Sequence, residues 1–212
     1  QYSFEEITSY KFIQQNREYF SNFKESNFFF TFLVFFIFTV IWIFFAGFGS
    51  PIGLLGGFIF GKLLGTLFVS LGLTFGATFL YIFANYFLKD FIKEKFLHKF
   101  KNLESKFKKH EFNYFLLYRF IGGIPFAIAN LIPVLFNVGI KNYFLGTFFG
   151  IIPQVFLIVS LGSGLDKVFQ QNETVPSIID LIFAPDIYIP ILGFVFIILL
   201  TLVIRKFFYK KY

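Results

Sequence analysis

FLLYRFIGGIPFAIANLIPVLFNVGIKNYFLGTFFGIIPQVFLIVSLGSG, residues 115–164, is apolar almost throughout yet carries Arg119, Asn130, Asn137, Lys141 and Gln154. Three prolines, Pro125, Pro133 and Pro153, interrupt it, and the pair Gly122-Gly123 stands just before the first. A plain membrane anchor has no use for this mixture. Proline removes a backbone donor and breaks the helix ladder. In lipid every freed carbonyl must find another partner, so broken backbone is tolerated only inside protein or along a wet cavity. An ionisable side chain in such a segment is a site candidate by default. The stretch reads as a re-entrant hairpin followed by a kinked spanning helix.

The rest of the composition agrees. The chain has 212 residues, 57% of them hydrophobic, with a mean hydropathy of +0.72. That is far above soluble composition, and it points to an all-α, multi-pass integral membrane protein. The 40 phenylalanines and absence of methionine read as a coding bias, with Phe as the apolar residue in use. With no cysteine, disulfides, thiolate metal sites and cysteine nucleophiles are excluded. The net charge of +7 suits loops that meet anionic lipid. Nucleic acid is not expected, because no basic stretch is interleaved with stacking aromatics on a soluble fold.

Residues 1–27 form a polar segment with three basic and four acidic residues, expected as an interfacial helix or tail. It is not expected to act as a signal peptide, since its leading part is acidic and the following apolar run is too long. The transmembrane domain is expected over 28–204. Residues 28–47 hold no charge over 20 residues, enough to span a hydrocarbon core.

Gly49, Gly53, Gly57, Gly61 and Gly65 then recur at every fourth position, a stripe along which another backbone can approach. One helix over 53–88 would run roughly 54 Å against a core of ~30 Å. A break is therefore expected near Lys62 to Thr66. It leaves a short element over 51–64, which fits a second re-entrant hairpin, and a span over 67–88.

The linker 89–111 holds eight lysines and four acids, with Ile92, Phe96, Phe100, Leu103 and Phe107 at helical spacing. It reads as an amphipathic helix on an anionic lipid surface. Residues 165–186 carry four acids and one lysine, 187–204 form a last apolar span, and the tail 205–212 carries four positive charges. A hairpin plus one span over 115–164 puts linker and tail together on the cytoplasmic side, with the acidic loop opposite, as the positive-inside tendency requires. Two full crossings would violate it. A short echo, GKLLGTLF at 61–68 against Gly139-Ile140-Lys141 and Gly146-Thr147-Phe148-Phe149, suggests two halves in an inverted repeat, a common transporter plan.

The order of a glycine-rich hairpin, a helix with GATFLYIFANYF, a basic linker and the 115–164 stretch resembles the DedA superfamily. It is closer to the VTT-domain branch, the SNARE-associated Golgi protein group. The resemblance covers about 48–165. It rests on Arg119, Pro125-Phe126, Asn130, and Gly150 with Pro153, and more weakly on Phe60, Gly61, Gly65 and Gly76-Ala77. It implies movement of a lipid or lipid carrier between leaflets, coupled in some relatives to the proton gradient. Several positions depart from that pattern. Asn85 stands where an arginine is common, and Gly122-Gly123 where proline is frequent. No acid lies between Glu25 and Asp90, and no arginine between Arg119 and Arg205. Passive scrambling survives these departures better than proton coupling.

The candidate lipid-phosphate or substrate ligands are Arg119, Lys62, Lys141 and Asn130. The guanidinium can grip a phosphate bidentately, or it can snorkel to the interface. Lys62 and Lys141 mark hairpin mouths, as headgroup contacts or as interfacial anchors. Asn130, Asn85 and Gln154 line a polar groove or satisfy freed carbonyls. Gly122, Gly123, Pro125, Pro133, Pro153, Gly57, Gly61 and Gly65 shape the hairpins.

Enzyme chemistry finds little footing. His98 and His110 lack the spacing of a helical metal pair. LGSGLD is not a Gly-x-Ser-x-Gly nucleophile elbow, and no paired carboxylates lie in the apolar segments for acid–base work. No cofactor or metal is expected. The expected function is lipid translocation, as phospholipid scrambling or polyprenyl-phosphate movement. A small-solute or ion-coupled secondary transporter and an assembly protein packing through its glycine stripe, on partners or on a second copy of itself, are the alternatives. Composition suits a bacterial inner membrane.

Overall fold

The computed structural model describes residues 26–94, 111–121, 124–171 and 183–209. The expected N-terminal interfacial segment, most of the basic linker, Gly122-Gly123 and the middle of the acidic loop lie outside the described residues. The elements are α1 (Phe28–Phe44), α2 (Gly49–Phe87), α3 (Glu111–Ile121), α4 (Phe126–Leu131), a 3₁₀ helix (Ile132–Phe136), α5 (Ile140–Gln171) and α6 (Pro185–Tyr209). No strand occurs among the described residues. Two helical segments, Gly49–Phe87 and Ile140–Val168, are long and apolar enough to cross a membrane. The described residues thus form an all-helical fold with two candidate membrane spans.

The first of these is not straight. Gly61 has φ 73° and ψ −174°, a region essentially reserved for glycine. The chain reverses there. A Cβ on Gly56 would strike Val69, and one on Gly65 would meet the Gly56 carbonyl at 2.7 Å, whereas a straight helix holds residues 56 and 69 about 20 Å apart. The segment is thus two arms, α2a over 49–60 and α2b over 62–87. The break falls one residue before the Lys62–Thr66 window read from the sequence. Thr66 donates to the Lys62 carbonyl at 2.6 Å, which satisfies an acceptor next to the turn.

Helix α1 ends at Phe44 after 17 residues. The chain then turns through 45–48, where the Trp42 indole donates to the Phe48 carbonyl at 3.0 Å. Arm α2a returns along α1, with Phe35 and Phe60 in edge contact at 5.3 Å. Helix α1 lies beside α2b in the same direction, since Phe32 meets Phe68 and Phe44 meets Phe83 at 4.2 and 5.7 Å.

In the second half, α3 is followed by α4 and the 3₁₀ helix. Helix α5 then runs beside α3 in the same direction: a Cβ on Gly146 would meet Phe115, and one on Gly150 would meet Arg119. Span α5 is antiparallel to α2b. Gly65 faces Val159 near one end, while Tyr81 stacks on Tyr143 at 4.2 Å near the other.

Where α2a crosses α5, a Cβ on Gly57 would overlap the Val159 carbonyl and one on Gly162 the Leu54 carbonyl. Here glycine is required by backbone approach, as in tightly packed membrane helices. Helix α6 runs back along α5, because Gly164 faces Asp186 and Gly193 faces Leu157. Its C-terminus therefore lies at the same end as the start of the basic linker.

Candidate functional site

Proline places the site. Pro133 has no N–H to give the carbonyl of Ala129 four residues earlier. The Tyr118 hydroxyl donates to that carbonyl instead, at 3.0 Å. Two further tyrosines serve the same broken segment: Tyr81 donates to the Val138 carbonyl at 2.5 Å, and Tyr143 to the Asn130 carbonyl at 3.3 Å. At the end of α3 the Gln154 amide donates to the carbonyls of Arg119 and Phe120 at 3.3 and 2.8 Å. These carbonyls are met by side chains from neighbouring elements, as an apolar surrounding demands.

Arg119 sits inside this frame. It is 4% exposed. Its Nε donates to Thr147 Oγ1 at 3.1 Å and its Nη2 to the Tyr143 hydroxyl at 2.7 Å. Phe115, Tyr118, Phe126 and Tyr143 surround the guanidinium with ring centroids 5.1–5.9 Å away. Among the described residues, Nη1 has no acceptor and no carboxylate pairs with Arg119. Beside it lies a crevice of about 30 Å³ lined by Tyr118, Arg119, Ile124, Phe126, Ala129, Ile151 and Gln154. The site is a buried, positively charged centre between α3 and α4. A larger groove of about 800 Å³ between α1 and α2b is lined by apolar and aromatic residues from Val40 to Phe87 and offers no charge to a headgroup.

The candidates from the sequence separate into three places. Arg119 and Asn130 come together, linked through Tyr143, whose hydroxyl lies 3.5 Å from Asn130 Oδ1. Asn130 is fully buried. Lys141 is exposed at the start of α5. Lys62 is at the opposite end of α2b, bonded to Asp186 Oδ1 at 2.8 Å, with Lys167 on the same oxygen at 3.0 Å. Asp186 stands one residue ahead of the apolar run 187–204. The hydrogen bonds from Lys62 and Lys167 hold its carboxyl below the ordinary carboxylate range.

Pro125 caps α4, Pro133 begins the 3₁₀ turn, and Pro153 sits inside α5. Sequence reasoning missed Tyr118, Tyr143 and Thr147. The last two are four apart, on one helix face, which was the available signal. Asp186 was counted only as loop charge.

A family model described as the VTT domain matches residues 47–164. Transmembrane protein 41B of Danio rerio is 30% identical over 77 residues, covering 36% of this chain and 27% of that protein. The chain thus aligns with little more than a quarter of that relative. No solved structure matches. Because the matched region takes in more than half of the chain, including the Gly61 reversal and the whole Arg119 centre, the chain belongs to the VTT domain family.

Proposed function

We propose that the protein moves lipid between the leaflets of a membrane, with Arg119 holding the headgroup phosphate where the second hairpin is broken. One observation carries this reading: a guanidinium 4% exposed, without a carboxylate partner among the described residues. An unpaired buried charge is costly, and it is retained where an anion must be bound. A planar fork of donors suits a phosphate.

In this reading the pairs α1–α2a and α3–α4 are re-entrant hairpins that enter from opposite faces, and α2b and α5 are the spans of an inverted repeat. The basic linker and the C-terminal tail face the cytoplasm of a bacterial inner membrane. Lys62 and Lys141 stand at opposite mouths as headgroup contacts. The assembly alternative is weakened because Gly57, Gly65 and Gly162 are used against this chain's own backbone.

The test is transfer of a fluorescent phospholipid in proteoliposomes, read with a membrane-impermeant quencher. Quenching beyond the outer-leaflet share is expected. Arg119→Ala should slow it roughly tenfold or more, the size of one charge-assisted hydrogen bond lost, with the protein still monodisperse. Normal transfer by the folded variant removes Arg119 from the mechanism. If label stays protected around folded wild-type protein, phospholipid is not the cargo, and polyprenyl phosphate or a soluble solute takes its place.

A further inference from the structure

Lys62 and Lys167 come from different elements and converge on one atom. Lys62 follows the Gly61 turn at the start of α2b, and Lys167 stands at the end of the span Ile140–Val168. Both ammonium groups donate to Asp186 Oδ1, at 2.8 and 3.0 Å. Two cations drawn to one point repel each other unless an anion stands between them. Asp186 supplies that anion, yet the three groups together keep one positive charge in excess. The cluster is open. All three side chains are partly exposed, and beyond its chain neighbours nothing lies within 4 Å of where a Gly61 Cβ would stand. Apolar side chains flank it: Leu63, next to Lys62, and Phe183, three residues ahead of Asp186, are both largely exposed.

We infer that Lys62 and Lys167 form a binding site for the phosphate of an anionic phospholipid, a site that the Asp186 carboxylate occupies in this structure. A phosphodiester oxygen can accept from both ammonium groups as Oδ1 does, and it brings the same single charge. Leu63, Phe183 and the apolar run that begins at 187 offer acyl chains a surface that free phosphate does not use. The inference rests on the reading of Lys62 as a headgroup contact. It adds Lys167 as a second ligand and Asp186 as the competitor that a lipid displaces, at the end of the spans opposite to Lys141.

The experiment uses the full chain in nonionic detergent micelles. One fluorophore is attached at Leu64→Cys, an exposed position beside the cluster, in a chain with no cysteine of its own. Emission is followed while dioctanoyl phosphatidylglycerol, dioctanoyl phosphatidylcholine or inorganic phosphate is added. Phosphatidylglycerol should give a saturable change, and the other two should give little at the same concentrations. Asp186→Asn should tighten phosphatidylglycerol binding roughly two- to fivefold, the scale of one partly exposed ion pair. Lys62→Gln or Lys167→Gln should weaken it by a similar factor. In the background of both lysine substitutions, Asp186→Asn should change nothing, because no site remains for it to vacate.

No saturable response to phosphatidylglycerol overturns the inference. So does an equal response to inorganic phosphate, which makes the ligand a free anion. Unchanged or weaker binding by Asp186→Asn removes it as the competitor, and equal tightening with and without the lysines reduces its effect to general charge. Either result overturns the inference. If phosphatidylglycerol binds as described while transfer in proteoliposomes fails, this site stands and the lipid-movement reading falls. If transfer depends on Arg119 and binding ignores both lysines, the lipid-movement reading stands and this inference falls.

Discussion

Tyr118 gives its hydroxyl to the carbonyl of Ala129 at 3.0 Å, the carbonyl that Pro133 leaves without a helical donor. The two arms of the second hairpin are joined by this substitution of side chain for backbone. It also fixes the ring that lies 5.9 Å from the Arg119 guanidinium.

Tyr118→Phe should therefore cost about 1–3 kcal/mol, the penalty of orphaning a buried carbonyl. Pro133→Ala restores an N–H four residues after Ala129. In that background the cost of Tyr118→Phe should fall by half or more. A double-mutant cycle in reversible denaturation measures the coupling. Additive effects would show that the hydroxyl does not replace the missing donor.

Gly61 and Gly57 are required for different reasons, and alanine should separate them. At Gly61 no atom stands near a Cβ, but φ is +73°, so Gly61→Ala should cost about 1–3 kcal/mol of backbone strain and leave the helix crossing intact. At Gly57 a Cβ overlaps the Val159 carbonyl, so the arms must move apart. Gly57→Ala should abolish the folded form or lower its Tm well beyond Gly61→Ala. The paired melting curves decide.

Asp186 ties the Gly61 turn and the end of α5 to the start of α6 through Lys62 and Lys167. These pairs are partly exposed, so Asp186→Asn should cost only about 0–1 kcal/mol, less at high salt. The folded carboxyl titrates below its unfolded value. Its contribution is thus present above about pH 4 and disappears as pH falls through the lower folded value. Stability against pH, wild type minus variant, should be flat from neutral pH down to about pH 4 and fall only in acid.

Lys62 and Lys141 lie at opposite ends of antiparallel spans, and α2b alone is roughly 38 Å long. The chain has no cysteine, so Lys62→Cys and Lys141→Cys each create a single thiol. A membrane-impermeant maleimide should label the two from opposite faces of sealed vesicles. Labelling of both from one face would overturn the inverted arrangement.

Much of the architecture was legible in the chain. The length of 53–88, set against bilayer thickness, required a break, and the cost of Lys62 at mid-membrane placed it at 62–66, one residue after Gly61. Pro125 and Pro133 announced the broken stretch between α3 and α5, and Arg119 stood out as the charge beside it. Composition did not show that the helix in the apolar run 28–47 ends at Phe44, nor that Lys62 is bonded to a carboxylate 124 residues away.

The sequence by itself determined membrane class, the places where helices must break and the side chain that stays charged. These follow from hydropathy, from proline's missing donor and from arginine's permanent charge, all local properties. Only the tertiary structure decided which groups answer those local demands. Tyr118 serves Ala129, Gln154 serves Phe120, and Tyr143 with Thr147 holds Arg119, because unpaired groups in an apolar interior take partners by proximity in space. The crevice, too, is set by how α3, α4 and α5 pack.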